Sequence, residues 1–293
     1  MRGEKFSDTA FRTVLSLGGI VVSVLLLAIF LSLLLSSRPA LVANGFRFLT
    51  GSEWDPVTNR FQAVPFVFGT LLTSIIALII STVLSLSLAI VMGEYFPAGF
   101  FSTALRTAVE LLAGIPSVVY GFIGLFFLVP LMRAVQTAIG APPYGVSILT
   151  SAILLAFMIL PYSASIGREM ITLVPVDLKE AALSLGATRS STIWRITLPY
   201  ARSGIMGGIL LSLGRALGET MAVTMVIGNS NNLSLNVLGP GSSMASLIAN
   251  EFSEATDAVY LASLLEIALL LFVISTLINI VGKLIINRMG QGA

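Results

Sequence analysis

The sequence predicts an all-α membrane protein that crosses the bilayer about six times and hangs a helical hairpin on its cytoplasmic side. Three observations predict it. Charged residues are only 10% of the 293-residue chain and hydrophobic residues 56%, whereas soluble proteins carry about 25% charge. Six stretches stay apolar over the ~20 residues that a spanning helix needs, at roughly 14–36, 66–92, 107–132, 146–166, 204–228 and 259–286. The segment between the fourth and fifth, about 167–203, is too polar for hydrocarbon. No strand pattern or internal repeat is visible.

The composition also excludes chemistry. Without Cys or His the chain has no thiolate nucleophile, no Cys- or His-ligated metal site and no Ser-His-Asp triad. No GxxxxGK[ST] phosphate loop is present, so nucleotide hydrolysis is not expected here. The expectation is no catalytic residue, no metal ligand and no nucleic-acid partner; the chain's immediate surroundings are membrane lipid.

The first span follows Arg2, Lys5 and Arg12. Its apolar core exceeds the ~7–15 residues of a cleavable signal, so it is expected to stay as an anchor. Lys and Arg counted by side set the orientation. With the N-terminus inside, eleven fall on the cytoplasmic side (Arg2, Lys5, Arg12, Arg106, Arg168, Lys179, Arg189, Arg195, Arg202, Lys283 and Arg288). Four fall outside (Arg38, Arg47, Arg60 and Arg133), which puts both termini in the cytoplasm. Pro116 is expected to kink the third span by removing a backbone donor. Gly204, Gly207, Gly208, Gly214 and Gly218 in the fifth allow a second helix to approach closely, from within this chain or from another subunit.

In the polar segment, Asp177 and Glu180 have the spacing of a capping box, Ala181, Ala182 and Leu183 favour helix, and Gly186 is a natural stop. A second short helix is expected from about Ser190 to before Pro199. The small Ala181-Ala182 face suits being gripped in another protein's groove.

Charges inside spans cost about 2.5–3.5 kcal/mol each on insertion scales and point to function. Arg215 and Glu219 are four apart in the fifth span, in one stripe with Gly204, Gly208, Ser212 and Ala222. The stripe is expected to face a polar pathway or a partner. Arg suits an oxyanion because its planar fork donates two parallel hydrogen bonds. A nearby carboxylate can accept the proton of hydrogen phosphate, or neutralise Arg215 when no anion is bound. A purely structural ion pair is the competing reading. Arg106 with Glu110 reads as structural, Arg168 with Glu169 as a solvated rim, and Glu266 has no sequence-local partner. On residues alone the reading is a pathway for a small anion.

The run Glu180-Ala181-Ala182, Gly186, then Ile196-x-Leu198-Pro199 resembles the EAA signature of bacterial ABC importer permeases. In that family the segment is a coupling helix that docks on a cytoplasmic ATPase. Further stretches, Phe48–Pro56, Gly114–Gly121 and Leu213–Val223, resemble the phosphate-importer permeases. Within that group, Met221-Ala222-Val223 and Met244–Glu251 favour the C-type branch over the A-type. The resemblance implies an anchor and external loop over 1–65, a permease core over 66–286 and a tail over 287–293, with Arg215 and Glu219 on the phosphate route. It implies two ATPase subunits holding Mg-ATP, a homologous A-type permease, and an external phosphate-binding protein on the 37–65 and 229–258 loops. The expected location is the bacterial inner membrane. Another oxyanion such as molybdate or sulfate, an ion-coupled secondary transporter, and a phosphate-reporting scaffold are the alternatives.

Overall fold

The structure, a computed structural model, describes residues 2–290, with side chains described over 11–289. The side chains of Arg2 and Lys5, and the last three residues of the expected 287–293 tail, lie outside the described residues.

The chain begins with α1 (Arg2–Ser36), α2 (Arg38–Asn44) and α3 (Arg47–Thr50). Strands β1 (Trp54–Asp55) and β2 (Arg60–Phe61) pair antiparallel, Trp54 opposite Phe61. This small hairpin has no alternating run to announce it; its turn is made by the Asp55 carboxylate, which accepts from Val57 N–H and the Thr58 hydroxyl. Then come α4 (Val64–Ile90), α5 (Phe100–Gly114), α6 (Ser117–Ile123), α7 (Val129–Ala138) and α8 (Ile148–Thr172). The rest is α9 (Val176–Ser184), α10 (Arg189–Thr192), α11 (Leu198–Gly218), α12 (Met221–Val226), α13 (Met244–Glu251) and α14 (Ala258–Gly290).

Helix α8 is the axis of the bundle. Ala152, Ala156 and Ala164 are buried to zero exposure, and their small size lets α4 lie close along it. A Cβ placed on Gly167 would stand 3.0 Å from that of Ala89. One core joins Leu155 and Ile159 of α8 to Ala77 of α4, Tyr120 of α6 and Val226 of α12. A second, at the end carrying β1 and β2, gathers Phe48, Trp54, Phe61, Phe66, Leu247 and Tyr260. In contrast, α1 is exposed along most of its length; Phe30 meets Phe272 of α14 at 5.8 Å.

Among the described residues, five segments are long and apolar enough to cross a membrane: Phe11–Ser36, Val64–Tyr95, Ser117–Ala138, Ile148–Thr172 and Ala258–Met289. Two expected spans are therefore corrected. The third does not kink at Pro116 but breaks there, and the spanning part starts at Ser117. Pro116 has no N–H and pushes Ile115 to extended backbone (ψ 126°), so α5 ends and a new helix begins. The fifth is interrupted after Gly218, and α11, carrying Arg202 and Arg215, falls short of the apolarity of the other five. Enclosed between α8 and α14, it has protein rather than lipid on two sides: Gly208 abuts Ile166, and Gly214 abuts Asn279.

The polar segment folds as a hairpin, with one correction. Pro175, not Asp177, occupies the N-cap of α9, and Asp177 sits in the first turn without capping through its side chain, where its charge still complements the helix dipole. The stop at Gly186 is as expected. Its φ of +85° allows Gly186 N–H to reach Leu183 O and Ala187 N–H to reach Ala182 O, both at 3.0 Å, the paired bonds of a Schellman motif. Pro199 does not end the following helix. A π turn over Ile193–Thr197 carries α10 directly into α11, because the wider turn absorbs the ring and the missing donor. The same device, Gly124–Leu128, precedes Pro130.

Opposite the hairpin, the 229–258 segment is not a simple solvated loop. Residues 241–247 are buried, and Gly69 gives them room: a Cβ there would stand 2.0 Å from Ser242 O. Ser243 and Ser246 form a capping box for α13, and Met244 N–H donates to Thr70 Oγ1 at 2.8 Å. Non-helical backbone at this depth is acceptable because protein side chains satisfy it.

Candidate functional site

Arg215 lies in the last turn of α11, exposed on the surface of this chain. Its guanidinium stacks over the ring of Tyr162 on α8, 4.8 Å from the centroid, a contact that contributes about 0.5–1 kcal/mol at an exposed site. No carboxylate within 4.0 Å pairs with it among the described residues.

Glu219 is not on the same helical face as Arg215. It stands just beyond α11 with extended backbone (φ −70°, ψ 123°), and its Oε1 accepts from Ala222 N–H at 3.3 Å in the first turn of α12. The carboxylate thus caps the second half of a broken helix instead of neutralising the arginine. It lines a small cavity of about 10 Å³, walled by Thr70, Thr73 and Ser74 of α4 and by Ser243. Thr73 Oγ1 is buried there without a hydrogen-bond partner among the described residues. The remainder of the expected stripe packs inward: Gly204 against Met170, Gly208 against Ile166, and Ser212 donating to Ile159 O at 3.3 Å. These positions build the subunit, whereas Arg215 turns outward from it.

The hairpin is tied to the bundle by a residue that sequence reasoning missed. Glu94, in the π turn over Val91–Tyr95 that continues α4, accepts from Lys179 Nζ at 2.6 Å and from Thr197 Oγ1 at 3.1 Å. Arg189 donates to Glu94 O and lies 4.7 Å over the Tyr95 ring. Of the EAA-like residues, Ala182 is buried against the protein, while Glu180, Ala181 and Gly186 are exposed. Beside them Val176, Leu183 and Leu185 are 62, 48 and 89% exposed, an apolar patch that polar surroundings do not explain. Asp177 is exposed at the same edge.

On the opposite end, Glu251 joins the two long loops. It accepts from Trp54 Nε1 and the Tyr260 hydroxyl, both at 2.7 Å, and from Asn231 Nδ2 at 3.0 Å. The 37–65 and 229–258 segments therefore form one surface. Glu266, without a partner in sequence, meets Asn44 across α2; its Oε2 stays unpaired among the described residues beside an apolar groove.

The family model described as the binding-protein-dependent transport system inner membrane component matches residues 85–291, from the end of α4 through the hairpin to the end of α14. The chain belongs to that family. It is an ABC transporter permease, a multi-pass inner-membrane protein. The phosphate transport system permease protein PstC of Mesorhizobium japonicum is 42% identical to it over 98% of this chain and 92% of its own. The protein of the same name from Pasteurella multocida is 40% identical over 96 and 92%. A probable PstC of Methanocaldococcus jannaschii is 35% identical over 86 and 85%. Among solved structures, a chain of the MetNI methionine ABC transporter superposes with TM-score 0.59 at 16% identity, covering 77% of this permease and 95% of that chain. A chain of a bacterial alginate importer gives 0.59 at 17% identity over 92 and 95%. At such identities these two likenesses are of fold.

Proposed function

We propose that this permease is the C-type membrane subunit of an ATP-driven importer of inorganic phosphate. The observation that carries the reading is Arg215, exposed on α11 over Tyr162 with no carboxylate paired to it among the described residues. A charged fork so placed at a helix interruption is available to a passing oxyanion. Phosphate is favoured by the names of the relatives.

The hairpin end is then cytoplasmic, with both termini on that side. Two ATPase subunits holding Mg-ATP grip the exposed face around Glu180 and Ala181, with Asp177 and Gly186 at its ends. A homologous A-type permease covers the Arg215 face. An external phosphate-binding protein docks on the surface held together by Glu251. Closure of the ATPase pair moves the hairpin, and the ties at Glu94 pass that movement to α4 as a rigid-body displacement.

The test is phosphate uptake and ATP hydrolysis measured together in proteoliposomes holding the assembled complex, with sulfate as competitor. Arg215→Gln is expected to abolish uptake while hydrolysis continues. Uptake unchanged in that variant would remove Arg215 from the pathway, and equal competition by sulfate would reassign the cargo to oxyanions generally.

A further inference from the structure

The sequence reads Arg106 with Glu110 as a structural pair and Arg168 with Glu169 as a solvated rim, but the fold brings all four around one cavity of about 310 Å³ at the hairpin end of α4, α5 and α8. Its floor is apolar, made by Met92 and Val109, which are 1 and 5% exposed. Arg106 Nε donates to Glu110 Oε1 at 2.7 Å. Arg168 is different: its buried Nε has no hydrogen-bond partner among the described residues. A buried donor on a charged group that lacks an acceptor calls for one.

The cavity and the ring under Arg215 lie along one face of α8. Tyr162, Ser165, Glu169 and Thr172 recur at helical spacing and share one face of α8; the last three are exposed while Pro161, Ala164, Gly167 and Ile171 between them are buried. That face begins at the ring under Arg215 and reaches the cavity about 10 Å further along the helix.

We propose that Arg106, Arg168 and Glu169 form a second oxyanion site, on the hairpin side of the membrane, selective for an anion that still carries a proton. Arg168 and Arg106 line the cavity and supply positive charge and guanidinium donors, and the Glu169 carboxylate accepts the anion's hydroxyl. The two glutamates that would repel a fully ionised anion thereby become the means of selection. The site takes hydrogen phosphate and disfavours both sulfate and the phosphodiester of a lipid headgroup, neither of which has a proton to donate. It rests on the phosphate reading above and places a release station downstream of Arg215.

The experiment is equilibrium binding of labelled inorganic phosphate to the assembled complex in nanodiscs, without the external binding protein. Sulfate and dimethyl phosphate serve as competitors. Arg168→Gln is expected to weaken binding at least tenfold, and Arg215→Gln to leave this component in place. Glu169→Gln, at an exposed position, is expected to let sulfate compete. Binding unchanged in Arg168→Gln, or sulfate still excluded in Glu169→Gln, overturns the site. Dimethyl phosphate competing as well as phosphate would assign the cavity to lipid headgroups instead. Uptake by wild-type proteoliposomes separates the two readings: uptake with Arg168-independent binding defeats this site alone, and no phosphate uptake defeats the cargo reading.

Discussion

Lys179 Nζ stands 2.6 Å from Glu94 Oε1, with the two side chains only 17 and 11% exposed, so the hairpin and α4 meet through an ion pair largely shielded from water. Removing one partner of a buried pair costs about 3–5 kcal/mol, and this partly shielded pair falls toward the lower end. Lys179→Met is expected to leave the complex in the membrane but to lower phosphate moved per ATP hydrolysed, by roughly 5–150-fold for a typical coupling free energy. The exchanged pair, Glu94→Lys with Lys179→Glu, should recover part of the loss. Unchanged stoichiometry in the single variant would show that Thr197 and Arg189 hold the junction without it.

The ring of Tyr162 steadies Arg215 through its face, not its hydroxyl. Tyr162→Phe should therefore keep half-saturation for uptake near wild type. Tyr162→Leu should raise it about two- to fivefold, the equivalent of 0.5–1 kcal/mol. Equal effects of the two substitutions, read from initial rates, would point to the hydroxyl instead.

Glu251 accepts from Trp54, Tyr260 and Asn231. Hydrogen bonds to charged groups contribute about 1.5–3 kcal/mol each. Glu251→Gln should lower the melting temperature of the purified complex and speed proteolysis of the 229–258 segment. Wild-type values for both would mean that the aromatic cluster of Trp54, Phe61 and Tyr260 holds the surface by itself.

Gly69 is where the buried 241–247 segment presses on α4. Gly69→Ala should cost about 1–3 kcal/mol, the range for overpacking a filled core. Gly18→Ala on α1, where a Cβ meets nothing within 4 Å, should be neutral or slightly stabilising. Thermal unfolding of the two variants beside wild type checks the contrast.

What is legible in the sequence is local. Gly186 ends α9 because a left-handed residue is needed there, and glycine next to an Ala-rich run announces that without a structure. Arg215 stands out because an arginine in an apolar run has few structural excuses. Its relation to Glu219 is misread because periodicity assumes an unbroken helix. Gly218 followed by Glu-Thr and a fresh apolar run is the available sign of the break. Pro199 misleads in the opposite direction, since no local rule tells a helix end from a π turn. Glu94 with Lys179, and Arg168 with Arg106, are joined across 85 and 62 positions of chain; such meetings are decided by how α4, α5 and α8 pack, and nothing in the neighbouring residues signals them.

The wide turn over Ile193–Thr197 sets the azimuth of everything above it on α11. A wide turn carries five residues through nearly the angle that four cover in an α-helix, so deleting one residue there would leave α11 almost unrotated. Winding all five as ordinary α-helix would instead rotate the whole of α11 by most of the ~100° that one residue adds. Arg215, eighteen residues or about 27 Å further along, would swing off the Tyr162 ring toward another side of the bundle. The direction in which the arginine points is thus phased from the junction with the hairpin, at the far end of its own helix.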